Sequence, residues 1–480
     1  MYELTDLPPP VDWPSVIASL SQIVGLEHVL SDAADLDRYS ADALTPYRAY
    51  YADAAFDRLA DVIARPGDTE QVSRIVALAQ QRGIPVIPYG GGTGVMGGIL
   101  PVAGGIILDL GRLNRLLHVD AVSQTAEVEA GMILQDLYDA LEPYGLMPGH
   151  DPYSVPIASV AGTISTNGVG YRAAAYGPMG DQVVALEVVL PDGRIIKTRG
   201  VPKQSSGPNL NHLFIGAEGA FGIITKATVR VFRRPEAASF ATMEFAEFED
   251  GFAAVSEMAA LGIRPTLLDL TEDSEGVLLH LLFEGYREGV DAALERTLAV
   301  CDDAGGWNVG PEPTLVYWRH RHDSALNYRK TALGRPRAEK WQRQWGRTFD
   351  YLHMSLPADR VLEYRRRADE LLEARKIRVV EYCLWSRPEF FSMMVVPDGD
   401  RRVEGRDGYD ADVRTNLAAG VDEVLTLAQD MGGIMEYCHG VGIKLHHLLA
   451  RELGVNRDAL LSIKRALDPA GIMNPGKLAL

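Results

Sequence analysis

Between Pro85 and Gly98 the chain reads PVIPYGGGTGVMGG, six glycines and a threonine directly behind an apolar run, Ile84–Ile87. Where side chains are missing, the backbone can close on a ligand and offer bare N–H groups to a phosphate. No Gly-Lys-Ser/Thr ends the stretch, so it is not a phosphate loop of the nucleoside-triphosphatase type. Gly92, Gly94 and Gly97 fit Gly-x-Gly-x-x-Gly, yet Pro101 and a strand-like run, Gly105–Leu110, follow in place of a long helix. The spacing therefore predicts a phosphate-gripping loop between two strands. Taken alone, the stretch also reads as a glycine-rich surface turn.

Three further clusters follow in the first half of the chain. His150–Gly170 sets Ser154, Ser159, Thr163, Ser165, Thr166 and Asn167 among small residues, a pattern that lays hydroxyls and amides along a long polar ligand. Tyr176–Asp181 is a turn, and in Phe214–Thr225 Glu218 sits between close-spaced glycines.

Proton transfer from a substrate hydroxyl needs a base within hydrogen-bond reach, and an acid group on the substrate needs a cation. The run Glu436-Tyr437-Cys438-His439-Gly440-Val441-Gly442-Ile443-Lys444 supplies His439 as base or substrate ligand; a lone histidine is otherwise a satisfied structural residue. Tyr317–His322, YWRHRH, is dense in donors. Arg321 there suits bidentate binding of a carboxylate, with a solvated basic helix face as the competing reading. Tyr382 and Tyr437 are candidates to bind or deprotonate a phenol, or simply to pack. Lys444 and Lys477 either face the bound ligand or solvate.

Elements to position these groups can be read from periodicity. At 480 residues the chain predicts two large domains or three. Up to Glu236, helices are expected at Trp13–Ile23, Thr69–Arg82 and Ile133–Leu141, with strands at Pro85–Pro88, Gly105–Asp109, Thr125–Glu129, Val183–Leu190, Arg194–Thr198 and Ala227–Phe232. From 237 to 432, helical segments (Phe252–Leu261, Gly289–Ala304, Asp359–Arg375) alternate with strand-like runs such as Val277–Phe283 and Phe391–Val396. That alternation predicts an α+β cap, an antiparallel sheet covered by helices. A last segment, 433–480, holds the helix Arg457–Leu467.

The net charge of −18 argues against nucleic acid as a partner. Three scattered cysteines, Cys301, Cys383 and Cys438, imply no disulfide framework and fit a reducing cytoplasm. The N-terminus lacks the pattern of a secretory signal, and the longest apolar runs fall far short of a membrane span. A homodimer is the default expectation for oligomeric state.

In their order, the four clusters and the tail Asp468-Pro469-Ala470-Gly471-Ile472-Met473-Asn474-Pro475-Gly476-Lys477 resemble FAD-binding flavoproteins of the vanillyl-alcohol oxidase/p-cresol methylhydroxylase superfamily. The resemblance implies an FAD-binding domain over 1–236, a substrate-binding cap over 237–432 and a segment, 433–480, that returns to the FAD domain. It implies that Pro88, Tyr89, Gly90, Gly91, Gly92, Thr93 and Gly94 hold the pyrophosphate and that Met96 and Gly97 also bind the cofactor. Tyr153, Ser154 and Ser159, then Gly162, Thr163, Thr166, Asn167 and Gly170, would line the ribityl chain and isoalloxazine. Glu218, Gly219, Gly222 and Ile224 would contact the cofactor through backbone groups, and Asn474 and Lys477 belong to the same set. The first loop has no histidine, so FAD is expected to be non-covalent; His118 and His150 are the nearest candidates for a link.

The HGVG-x-K core is similar to the corresponding segment of the D-2-hydroxy-acid dehydrogenase and alkyl-dihydroxyacetone-phosphate synthase branches. The implied reaction is hydride transfer from an alcohol or 2-hydroxy acid to flavin N5, with an electron acceptor left open. The alternatives are a phenolic or benzylic alcohol oxidase, a non-redox carbon–oxygen exchange and a non-catalytic flavin-binding module. Metal-dependent relatives carry paired histidines where this chain reads Glu381–Pro388 without one, so no metal is expected.

Overall fold

Three sheets carry the loops described above. The computed structural model describes residues 11–342, 349–398 and 411–479; the first ten residues, part of the stretch in which no secretory signal is expected, lie outside them.

The first sheet runs in the order Val29–Leu30, Val62–Ala64, Ile106–Asp109, Val86–Tyr89, the last three parallel. Val62, Ile63, Ala64, Ile106, Ile107 and Leu108 are all fully buried, as continuous apolar strands of a parallel sheet must be when both faces are covered. Helix Thr69–Arg82 provides a crossover. It starts where the Asp68 carboxylate accepts the Gln71 N–H and stops where Gly83 turns left-handed, and Val72, Ile75, Val76 and Ala79 are its buried stripe. These bounds are those the sequence predicts.

The second sheet is antiparallel, in the order Leu116–Asp120, Thr125–Glu129, Ile223–Arg233, Val183–Val189, Ile195–Lys197, with Leu146–Pro148 also paired to Ile223–Arg233. The strand expected from Ala227 begins earlier, at Ile223, directly out of the fourth glycine-rich cluster.

The third sheet has seven antiparallel strands in the order Trp307–Gly310, Ala237–Phe245, Gly276–Gly285, Leu267–Asp273, Ile377–Trp385, Phe390–Pro397, Asp350–Ser355. Helices Phe248–Ala260, Arg287–Asp303 and Val361–Ala374 cover one face, the α+β arrangement expected of residues 237–432. Phe248 and Tyr364 from those helices meet Phe391 on the sheet. Side chains alternate across a strand. So Tyr382 and Phe391 go to the helix face, while His353, Trp385 and Ser392 go to the other.

The C-terminal tail returns to the first sheet. Val86 donates to the Ile472 carbonyl and accepts from the Asn474 N–H, which lays the tail alongside the strand that feeds the glycine loop. Among the described residues, no helix is long and apolar enough to cross a membrane.

Candidate functional site

Strand Val86–Tyr89 delivers the chain into the glycine loop, and there three segments enclose a cleft of about 1580 Å³, open solvent at its mouth included. From the loop, Pro88, Tyr89, Gly90, Gly91, Gly92, Thr93, Gly94 and Met96 line it. Tyr153, Ser154, Ser159, Gly162, Thr163, Thr166 and Gly170 form a second wall, and Glu218, Gly219, Gly222 and Ile224 a third. The glycines are required by contact. A Cβ at Gly91 would sit 2.3 Å from the Ile157 carbonyl, and one at Gly90 would meet Ser159 Oγ at 2.2 Å.

This lining fits FAD. Among the described residues no lysine or arginine lines the cleft, so a phosphate there would meet backbone amides in a cradle that any side chain would fill. The two carboxyl groups nearest the loop are both shifted toward their neutral forms by burial. Asp42, which accepts the Leu44 N–H, is pushed up to about 7, and Glu218 is raised as well.

Several residues expected to contact the cofactor also make bonds that support the cleft. Glu218 was expected to use backbone groups, but its N–H goes to the Ser165 carbonyl and its C=O takes Asn474 Nδ2 at 2.6 Å. Its carboxylate instead accepts the N–H groups of Val441 (2.6 Å) and Gly442 (3.0 Å), tying the His439 segment to the cleft. Asn474 also donates to the Gly98 carbonyl, and Lys477 Nζ donates to the Leu100 carbonyl. Burial lowers Lys477 to about 8. Both side chains brace the loop from behind. Gly97 faces Ile443 and Leu44 rather than the cleft, and Asn167 accepts the Gly180 N–H.

The remaining wall comes from the third sheet and the C-terminal segment. Leu267, Leu268, Asp269, Trp385 and Ser386 line it, with Cys438 and His439. The His439 N–H is accepted by Glu436 Oε1 at 2.9 Å, and Nδ1 lies 3.9 Å from the same oxygen. Burial, with Arg48 and Lys444 close by, lowers His439 to about 4 against the opposing pull of Asp350, so the ring is neutral and free to accept a proton. Burial also pushes Glu436 up to about 8, although two backbone N–H groups favour its ionised form. Asp350 is the hub of the neighbourhood. It accepts from Lys444 Nζ at 2.7 Å, Arg48 at 2.5 Å and the Tyr50 hydroxyl. Burial opposes its charge, but Lys444 and Arg48 overcome that and hold it well below the usual carboxylate range.

Of the four residues expected to do chemistry, His439 alone lines the cleft. Arg321 is spent on Asp151 (3.1 Å) and stacks at 3.8 Å on Trp318, so it is no free carboxylate receptor. Tyr382 points to the helix face and donates to Asp369 at 2.6 Å. Tyr437 lies behind His439, bonded to Ser392 Oγ at 2.8 Å and stacked on Phe390. Lys444, left between ligand and solvent, is buried on Asp350.

Sequence reasoning missed Asp42, Trp385, Ser386, Arg48 and Asp350. Strand parity could have separated Trp385 from Tyr382, since three positions apart on one strand means opposite faces. The Arg48–Asp350 pair joins residues 302 positions apart and has no local signature. Among the described residues, no group of three or more His, Cys, Asp or Glu could hold a metal ion.

The sequence family described as FAD binding domain matches residues 60–199, and that described as FAD linked oxidases, C-terminal domain, matches 234–478, more than half the chain. The chain belongs to the FAD-linked oxidases and is an FAD-dependent enzyme. It is 32% identical to D-lactate dehydrogenase of Archaeoglobus fulgidus over 464 residues, covering 92% of this chain and 95% of that protein. It is 26% identical to the glycolate oxidase subunit GlcD of Bacillus subtilis, over 96% of this chain and 95% of the relative. In three dimensions it resembles p-cresol methylhydroxylase with a TM-score of 0.74 at 19% identity, over 99% of this chain and 98% of the other, which places it in that fold.

Proposed function

We propose that this chain oxidises the CH–OH group of a 2-hydroxy acid, with residues 1–236 and 433–480 binding FAD without a covalent link and residues 237–432 capping the substrate. When bound, FAD would supply the two-electron acceptor for this oxidation. The observation that carries the reading is His439, a neutral imidazole on the cleft wall where the C-terminal segment meets the third sheet. A hydroxyl proton needs such a base, and His439 is kept deprotonated by burial and the cations behind it. The 2-hydroxy-acid class follows from the names of the relatives, since D-lactate and glycolate are both of that class. Cap and FAD-binding part together exclude water from the reacting groups. The cytoplasmic reading rests on three buried, unpaired cysteines.

Anaerobic titration of the FAD-loaded protein with D-lactate, glycolate and a benzylic alcohol tests this. Bleaching of the visible flavin band by the hydroxy acids is the expected result. In His439→Gln the bleaching rate falls about 10²- to 10⁴-fold, the usual contribution of a positioned base. A flavin that no alcohol bleaches overturns the proposal.

A further inference from the structure

The buried polar atoms without partners lead beyond His439. Two of them, His353 Nε2 and Trp385 Nε1, lie on neighbouring rings of the third sheet with centroids 5.2 Å apart. His353 is fully buried, and its ring meets that of His439 edge-on at 4.6 Å. Trp385 and His439 both line the cleft, and His353 stands directly behind them in contact with both rings.

Hydrogen-bond counting sets the tautomer of His353. Its Nδ1 lies 2.8 Å from Ser392 Oγ, which lies 2.8 Å from the Tyr437 hydroxyl. If Tyr437 donates to Ser392, the serine proton goes to Nδ1 and the imidazole carries its own proton on Nε2. The reverse order leaves the phenol proton without an acceptor in a buried place, which is the costlier arrangement. His353 Nε2–H and Trp385 Nε1–H are then two buried donors that nothing among the described residues accepts. Buried donors of this kind are rare in folded proteins and call for a partner.

Behind the two histidines the balance of charge favours an anion. Arg48 and Lys444 outnumber Asp350 in the buried cluster behind the two histidines. Glu436, the other carboxyl facing His439, is held toward its neutral form. Ser386, directly after Trp385, is a buried non-glycine residue with φ of +68°, a left-handed turn that sets the end of the strand. Such strain gathers at ligand-holding positions. Arg321, the cation expected to hold an acid group, is committed elsewhere.

We propose that His353 Nε2–H and Trp385 Nε1–H form the subsite for the substrate carboxylate, holding the hydroxy acid with its hydroxyl toward His439. This rests on the oxidation reading above and adds to it the group that distinguishes an acid from a plain alcohol. Tyr437 and Ser392 are positioning residues, because they fix which nitrogen of His353 carries the proton.

Oxalate is the probe: a dicarboxylate without a CH–OH group, followed in the FAD-loaded protein by perturbation of the visible flavin spectrum. Saturable binding is expected, weakened about 10- to 100-fold in Trp385→Phe, which keeps a ring and loses only the donor. His353→Phe should weaken it similarly. With a hydroxy acid, Trp385→Phe should raise KM far more than it lowers kcat, and the preference for the acid over its methyl ester should fall. Unchanged oxalate affinity in both variants, or no binding to the unaltered protein, overturns the subsite. Bleaching by hydroxy acids alongside unchanged oxalate affinity leaves the oxidation reading standing and sinks the subsite alone. Oxalate binding lost in the variants, in a protein that no alcohol bleaches, supports the anion subsite while the oxidation reading fails.

Discussion

Two buried carboxylates join the early part of the chain to the cap, and they are built alike. Asp151 accepts from Arg172 at 3.0 Å, Arg321 at 3.1 Å and His322 at 2.8 Å. Asp350 accepts from Arg48, Lys444 and Tyr50. In both, burial works against the charge and cationic partners hold the carboxyl well below its ordinary range. The difference lies in what else the cations touch. Arg172 and Arg321 stack on Trp318 and Arg172 also pairs with Glu284, so their charge is used within the staple. Arg48 and Lys444 instead act on His439 at the cleft wall and on His353 behind it. Similar chemistry serves as a clamp in one place and as a source of field in the other.

Removal of each hub carboxylate should separate the two clusters most strongly. Asp350→Asn strands Arg48 and Lys444 in the interior, and breaking a buried pair this way costs about 3–5 kcal/mol. Asp151→Asn should cost about as much or slightly less, by the same rule, because Arg172 keeps Glu284. Thermal unfolding checks both. The two should part in the pH dependence of kcat/KM. Asp350 favours the protonated form of His439, so its loss moves the acid limb, expected near about 4, further down. Asp151→Asn should leave that limb in place. A limb that shifts equally in both variants would show that the two clusters are not distinct in function.

Stability against acid sharpens the likeness rather than the difference. Both carboxyls have folded values below the ordinary 3.8. Their stabilisation is therefore complete above about 3.8 and is lost as pH falls below it. Chemical denaturation midpoints taken across that range should drop steeply in the unaltered protein and less so in either variant.

A smaller effect is expected at Glu436. Its carboxyl is neutral below about 8, and once ionised it stands 3.9 Å from His439 Nδ1. A carboxylate there strengthens His439 as a base, so the rate should climb as pH rises through about 8. Glu436→Gln keeps an acceptor for the two backbone N–H groups and should flatten that rise. The loss above the inflection is about tenfold at most, equal to one pKa unit on His439.

What the sequence showed and hid follows the range of the interactions. The glycine loop was legible because a backbone that must pack within van der Waals contact of Ile157 and Ser159 excludes side chains, and that exclusion is written locally as glycine. Helix Thr69–Arg82 was legible because its cap, stripe and stop all lie within the segment. The cap wall of the cleft was not. Arg48, Asp350 and Lys444 meet only after three distant segments fold together. Arg321 was misread for the complementary reason, since its type fits a carboxylate and the carboxylate it found is the protein's own Asp151.

Tyr382 gives the smallest and cleanest test of the division between the two faces of the third sheet. The residue types around it suggest chemistry, because a tyrosine stands next to a cysteine and three positions before a tryptophan. Its hydroxyl nevertheless donates to Asp369 on helix Val361–Ala374, and its ring packs near Phe248 and Phe391 beneath the Arg365 guanidinium. Tyr382→Phe removes one hydrogen bond and leaves the Asp369 carboxylate a donor short, so about 1–2 kcal/mol of stability should be lost. Asp369, already raised by burial, loses the bond that favoured its charge and should rise further. Turnover and KM for a hydroxy acid should not move, because the sheet itself lies between this phenol and the cleft. A fall in kcat larger than the loss of stability explains would place Tyr382 on the reacting face. The strand register that sets it opposite Trp385 would then be wrong by one residue.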